Sequence, residues 1–205
     1  MVKTISKEEI ATLPFATLPG RIIVVQSERE SKKATSYLEK FPIVGFDTET
    51  RPAFKKGVNR KIALMQLSTE DTCFLFRLNI IDIPEDLMKI LVNPDIRKIG
   101  LSLKDDFSAI RKRIQLEPQN FVELQSFVKK FGIEDNGLQR IYAIMFGEKI
   151  SKGQRLSNWE ADVLTEAQQK YAALDAWSCL QIYNKLTRLN PDLSDKSNMN
   201  YKKIY

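Results

Sequence analysis

Apolar residues recur along this chain in two rhythms, and the switches between them lay out its elements. Short β-branched or continuous apolar runs occur at Arg21 to Val25, Ile43 to Thr48, Ile62 to Leu67, Thr72 to Phe76, Lys98 to Leu101 and Phe121 to Glu123. Pro, Gly or polar clusters border most of these runs, which predicts strands. Helical spacing fills the gaps. Ser6-x-x-Glu9 opens a short helix ending before Pro14, and Ser27-x-x-Glu30 opens another reaching about Phe41, where Pro42 stops it. Further helices are predicted from Pro84 to Val92 and through Asp105 to Arg113. From Leu124 the pattern is helical almost to the end. Its last and longest helix opens at Thr165-x-x-Gln168 and reaches Leu189, before Asn190-Pro191.

Ser68-Thr-Glu-Asp71 reads as a turn, so the strands at 43–48, 62–67 and 72–76 form an antiparallel meander. A meander followed by helices alternating with strands predicts an α/β fold, a mixed sheet flanked by helices. No repeat or Gly/Ser-rich linker interrupts the pattern. We expect one domain over 21–190, an N-terminal extension with a short helix over 1–20, and a polar, aperiodic C-terminal tail over 191–205.

The 205 residues are enough for one buried core, and 43% hydrophobic with 28% charged residues is ordinary for a soluble globular chain. No stretch approaches the ~18 apolar residues of a membrane span, and the N-terminus lacks an apolar signal core. A cytoplasmic protein with no membrane partner is expected. Net charge changes the picture slightly: 32 basic against 26 acidic residues, +6 in all, suits an anionic partner such as nucleic acid. The lack of histidine changes it more. It excludes serine–histidine and cysteine–histidine nucleophiles, histidine-ligated zinc and a histidine general base. Cys73 and Cys179 lie in apolar surroundings and read as buried thiols, not as a metal site. Acid–base chemistry is left to carboxylates, Tyr, Lys or metal-bound water.

The carboxylates are where the candidates lie. Asp47 and Glu49, in Ile43-Val-Gly-Phe-Asp47-Thr-Glu49-Thr, are two apart near a strand end and share one face. Tyr171 and Asp175 are i and i+4 on the last helix, also on one face. Asp106 stands at a helix start, where acids are favoured by the helix dipole whatever their role. Each feature alone is as well explained by a solvated strand end, a core tyrosine or a helix cap.

Together, Asp-x-Glu on a strand, Gly100-x(5)-Asp106-x(3)-Ile110 and Tyr171-x(3)-Asp175 resemble the DEDD superfamily of 3′→5′ exonucleases, of RNase H-like fold. The tyrosine resembles that of its DEDDy branch, which includes RNase D and the Werner-type exonucleases; the sister branch has a histidine there. Ser157-Asn-Trp159, Leu164-Thr165-x-x-Gln168-x-x-Tyr171-Ala-Ala-x-Asp175-Ala176, Ile62-Ala-Leu-x-Gln66-Leu67 and Phe121-Val-Glu-Leu124 are similar to RNase D and Werner-type members. Thr50, Arg51, Gln125 and Ser126 depart from common family spellings. The register from Gly100 to Ile110 selects Asp106, with the adjacent Asp105 as its alternative.

The resemblance implies a metal-dependent 3′→5′ exonuclease acting on DNA or RNA with a free 3′ end and releasing nucleoside 5′-monophosphates. It implies two Mg²⁺ or Mn²⁺ ions, one held by Asp47, Glu49 and Asp175 and the other by Asp47 and Asp106. One ion would activate a water and the other steady the leaving oxygen. Glu49 would also touch the terminal 3′-hydroxyl, and Tyr171 would orient the nucleophile. Arg51, Lys55, Lys56, Lys152 and Arg155 are candidate phosphate contacts, and Trp159 is a candidate base-stacking contact whose stronger reading is structural. The alternative is a catalytically silent nucleic-acid-binding or scaffold protein on the same fold.

Overall fold

The computed structural model describes residues 3–53 and 60–190. The predicted tail and the candidates Lys55 and Lys56 lie outside the described residues. Fourteen elements follow the chain among the described residues: α1 (Lys7–Thr12), β1 (Arg21–Val25), α2 (Glu28–Leu38), β2 (Ile43–Thr50), β3 (Ile62–Ser68), β4 (Thr72–Phe76), α3 (Leu78–Ile81), α4 (Glu85–Val92), β5 (Arg97–Gly100), α5 (Leu103–Arg111), β6 (Phe121–Glu123), α6 (Leu124–Lys129), α7 (Leu138–Phe146) and α8 (Glu166–Leu189).

The six strands make one mixed sheet in the order β1-β4-β3-β2-β5-β6. The meander β2-β3-β4 is antiparallel, and β5 and β6 extend it in parallel beside β2. β1 joins β4 in parallel at the far edge. This is the RNase H-like arrangement with one extra edge strand. Both sides of the sheet are covered. Val44, Phe46, Met65, Leu67, Phe74 and Phe76 pack with the apolar faces of α2, α4 and α5. The opposite face carries α8, whose Ala172, Ala173 and Ala176 meet Leu64 and Leu75. Small α8 residues let the helix lie close to the sheet. Gly45 of β2 completes that fit, because a Cβ there would collide with the Ala176 carbonyl oxygen.

Local expectations meet the structure unevenly. Ser6–Glu9 and Thr165–Gln168 form reciprocal capping boxes. At α2 only half the box forms: Ser27 accepts from the Glu30 N–H, but the Glu30 carboxylate takes the Gln26 N–H at 2.8 Å instead. The helical pattern after Leu124 is broken. Gly147, at φ 68, ends α7, and residues 148–165 run irregularly before α8. α3, a single short turn, is an addition to the predicted elements. The N-terminal segment packs on the irregular stretch through backbone bonds Ala16 to Lys149 at 2.9 Å and Lys149 to Pro14 at 2.8 Å.

Candidate active site

Side chains alternate along a strand, so Asp47 and Glu49 leave β2 on the α8 face while Thr48 leaves on the other. α8 runs across β2 and presents Tyr171 and Asp175 one turn apart. One carboxylate oxygen from each of Asp47, Glu49 and Asp175 lies within 4.8 Å of the others. The Tyr171 hydroxyl lies close enough to the Asp175 carboxylate for each to shift the other's titration.

Asp106 stands beside this group in the first turn of α5, and the Thr48 hydroxyl donates to its carboxylate. Its charge acts on both Asp47 and Glu49, whereas its neighbour Asp105 is exposed. Glu123 pins the start of that helix. Its carboxylate accepts from the N–H groups of Ser102 at 3.0 Å and Leu103 at 2.8 Å, holding Ser102 in a left-handed turn at φ 64. It also accepts from the Gln125 N–H at 3.0 Å.

Burial and like charge push these acids up. Burial acts first on Asp47, followed by repulsion from Asp175, Asp106 and Glu49. The same causes, burial and then Asp175 and Asp106, push Glu49 up to about 9. Burial lifts Asp106 to about 7 against the Thr48 bond, and Asp175 to about 7 against the effect of the Tyr171 hydroxyl. Tyr171 is pushed well above the usual phenol range by burial, with Asp175 and Glu49 adding to it. At neutral pH its hydroxyl is therefore a neutral donor.

Hard oxygen donors brought this close, with repulsion dominating among them, fit a divalent ion such as Mg²⁺ or Mn²⁺. A cation between them relieves the repulsion that otherwise keeps protons on the oxygens.

A model of the 3'-5' exonuclease family matches residues 22–190. The chain belongs to this exonuclease family. It is 32% identical over 187 residues to the bifunctional 3'-5' exonuclease/ATP-dependent helicase WRN of Mus musculus, spanning 86% of this chain and 13% of that protein. Among solved structures, the Nibbler EXO domain of Aedes aegypti superposes with a TM-score of 0.78 at 23% identity, over 89% of this chain and 98% of that one. Escherichia coli RNase D, an exoribonuclease involved in structured RNA processing, gives 0.73 at 23% identity, over 84% of this chain and 48% of that one. These two likenesses show the shared fold.

The remaining candidates of this exonuclease-family chain fall in different places. Lys152 and Arg155 are exposed on the stretch before Ser157-Asn-Trp159. Arg51 follows β2 and pairs with Glu160 at 3.2 Å, and Arg60, before β3, reaches the same carboxylate at 3.7 Å. Trp159 takes the structural role and not the base-stacking one. It is 0% exposed and packs against Tyr171, ring centroids 6.0 Å apart, so it forms part of the tyrosine's floor and has no face for a base. Arg77 secures that floor, donating to the carbonyls of Ala161 and of Asp162, the latter at 3.3 Å. Thr48, Glu123, Glu160 and Arg77 had no role in the sequence reading. Only Glu123 carried a signal, inside Phe121-Val-Glu-Leu124.

Proposed function

We propose that this chain removes nucleotides one at a time from the 3′ end of DNA or RNA, releasing nucleoside 5′-monophosphates, by the two-metal chemistry of the DEDDy branch. The observation that carries the reading is the convergence of Asp47, Glu49 and Asp175 within 4.8 Å, with Asp106 near enough for its charge to act on Asp47 and Glu49. Asp47, Glu49 and Asp175 would hold one Mg²⁺ or Mn²⁺, and Asp47 with Asp106 a second. Bound there, the ions supply Lewis-acid stabilisation of charge on the phosphate and acidify a water. The protein's own part is positioning. Tyr171, kept neutral, donates a hydrogen bond that orients the nucleophile, and Glu49 receives the terminal 3′-hydroxyl, which restricts the reaction to free ends. Arg51, Lys152 and Arg155, with Lys55 and Lys56, attract the strand's phosphates.

The domain division 21–190, with an N-terminal extension over 1–20 and a tail over 191–205, belongs to the same proposal. So does a cytoplasmic setting. Both cysteines are free and buried, and no helix among the described residues is long and apolar enough to cross a membrane.

The test is Asp175→Asn, assayed on a 5′-labelled strand with Mg²⁺ or Mn²⁺. We expect a loss of about 10³-fold, since a metal's stabilisation of transition-state charge is worth several kcal/mol. The fold should be intact by circular dichroism. Undiminished degradation would sink the site assignment. Wild-type chain that binds strands but releases no mononucleotides with either metal would favour the silent binder.

A further inference from the structure

Gln66 is 0% exposed, and neither its amide nitrogen nor its amide oxygen has a hydrogen-bond partner. A buried amide left unpaired costs on the order of 1–3 kcal/mol, so its presence in the middle of a central strand asks for a reason. Its surroundings supply one. In β3, Met65 and Leu67 face the α2–α4–α5 core, which sends Gln66 to the α8 face by strand alternation. There its register partner on one side is Asp47 and on the other Leu75. Across from it α8 presents Ala172, Ala173 and Ala176, which pack with Leu64 and Leu75 and carry no side-chain polar atom. Directly opposed residues in an antiparallel pair have Cβ atoms roughly 4.5–5.5 Å apart, within reach of a glutamine's two-carbon stem and amide.

We propose that Gln66 is a positioning residue for Asp47. Its amide donates to the Asp47 carboxylate and fixes that carboxylate's orientation when a divalent ion is held by Asp47, Glu49 and Asp175. The inference rests on the proposed metal site and adds to it a group that touches neither ion nor substrate. It accounts for an amide that is a burden to the metal-free protein: the partner group turns to meet it once the site is loaded. Residues that orient metal ligands in this way typically change metal affinity or activity by about 10–100-fold when removed.

Gln66→Leu keeps the volume and removes the amide, and Gln66→Met is a second apolar replacement should Leu repack poorly. Each is compared with wild type by thermal melting in EDTA, by the rise in Tm on titrating Mn²⁺, and by kcat and KM on a labelled oligonucleotide. We expect an unchanged or higher Tm in EDTA. The Mn²⁺ midpoint should rise about tenfold and kcat should fall about tenfold with KM unmoved. The inference is overturned by a variant that melts earlier in EDTA yet keeps the wild-type Mn²⁺ midpoint and kcat, because that is what a purely structural glutamine would give. Wild-type protein whose Tm ignores Mn²⁺ would instead overturn the metal site itself, and the role of Gln66 with it.

Discussion

Two groups of buried and half-buried charge lie in one fold, and they are treated oppositely. Arg77 and Arg113 are enclosed and fully answered. Arg77 donates to Asn79 and to the carbonyls of Ala161 and Asp162. Arg113 donates to the carbonyls of Ile62 and Leu78 and pairs with Asp82 at 2.5 Å. Between β2 and α8, Asp47, Glu49 and Asp175 face one another, and the strongest pairwise forces on Asp47 are repulsions. A fold able to satisfy buried cations with carbonyls leaves its acids unanswered where the counter-charge comes from outside. Unpaired buried charge, not buried charge as such, marks the site.

The comparison breaks most visibly if an answered charge is removed. Arg77→Met takes donors from the carbonyls that hold residues 161 and 162, and with them the segment carrying Trp159 beneath Tyr171. We expect a loss of about 3 kcal/mol, or ~6–12 °C in Tm for a chain of this size, together with loss of activity. Asp47→Asn should do the reverse in EDTA, raising Tm by relieving repulsion. Thermal melts of the two variants side by side check both; equal destabilisation by both would erase the distinction.

How far the site was legible in the sequence follows the same divide. Asp47 with Glu49 and Tyr171 with Asp175 are set by local periods of two and four, so spacing alone put each pair on one face. The pairing of β3 with β4 was equally local, since the short turn at Ser68-Thr-Glu-Asp71 dictates it. What escaped depends on tertiary partners. No local rule pairs β1 with β4 in parallel, makes Glu30 prefer the Gln26 N–H, or gives Glu123 the start of α5 to hold. Trp159 shows the same limit: its residue type suits a structural role, but only the fold shows which core it fills. The helical pattern after Leu124 gave no sign of where it breaks: Gly147 in the left-handed region ends α7, and side chains such as Leu164 reach the core from irregular backbone.

A milder test titrates the unanswered acids. Unfolded Asp and Glu titrate near ~4, whereas burial and repulsion put Glu49 at about 9 and Asp106 and Asp175 at about 7. A folded value above the unfolded one favours the protonated form in the fold. The stabilising contribution is therefore complete below about pH 4 and is lost as pH rises through 7 to 9. Lys98 works in the opposite sense. Burial lowers it to about 7, so its contribution increases with pH above that value. Between pH 5 and 7 the acids act without that opposition, and Tm in EDTA should fall steadily as pH rises across that range. Mn²⁺ should restore more stability at pH 7 than at pH 5, because the ion and protons compete for the same oxygens. Melts at four pH values with and without Mn²⁺ decide it, and a metal response independent of pH would contradict the repulsion argument.

The smallest expected effect sharpens the comparison at its border, where charges are answered but exposed. Glu160 holds Arg51 at 3.2 Å and Arg60 at 3.7 Å, and all three side chains are more than a quarter exposed. Exposed pairs contribute about 1 kcal/mol or less, so Glu160→Gln should hardly move Tm. Its effect belongs instead to strand binding. If the carboxylate occupies arginines that otherwise meet phosphates, the variant should bind a labelled oligonucleotide several-fold more tightly at low salt. Its affinity should also depend more steeply on salt, the log–log slope steepening by up to about 0.7 for each further phosphate that an arginine neutralises on a single strand. Weaker binding with an unchanged slope would give Glu160 the other role, that of holding the two arginines in place, and would move this triad to the answered side of the divide.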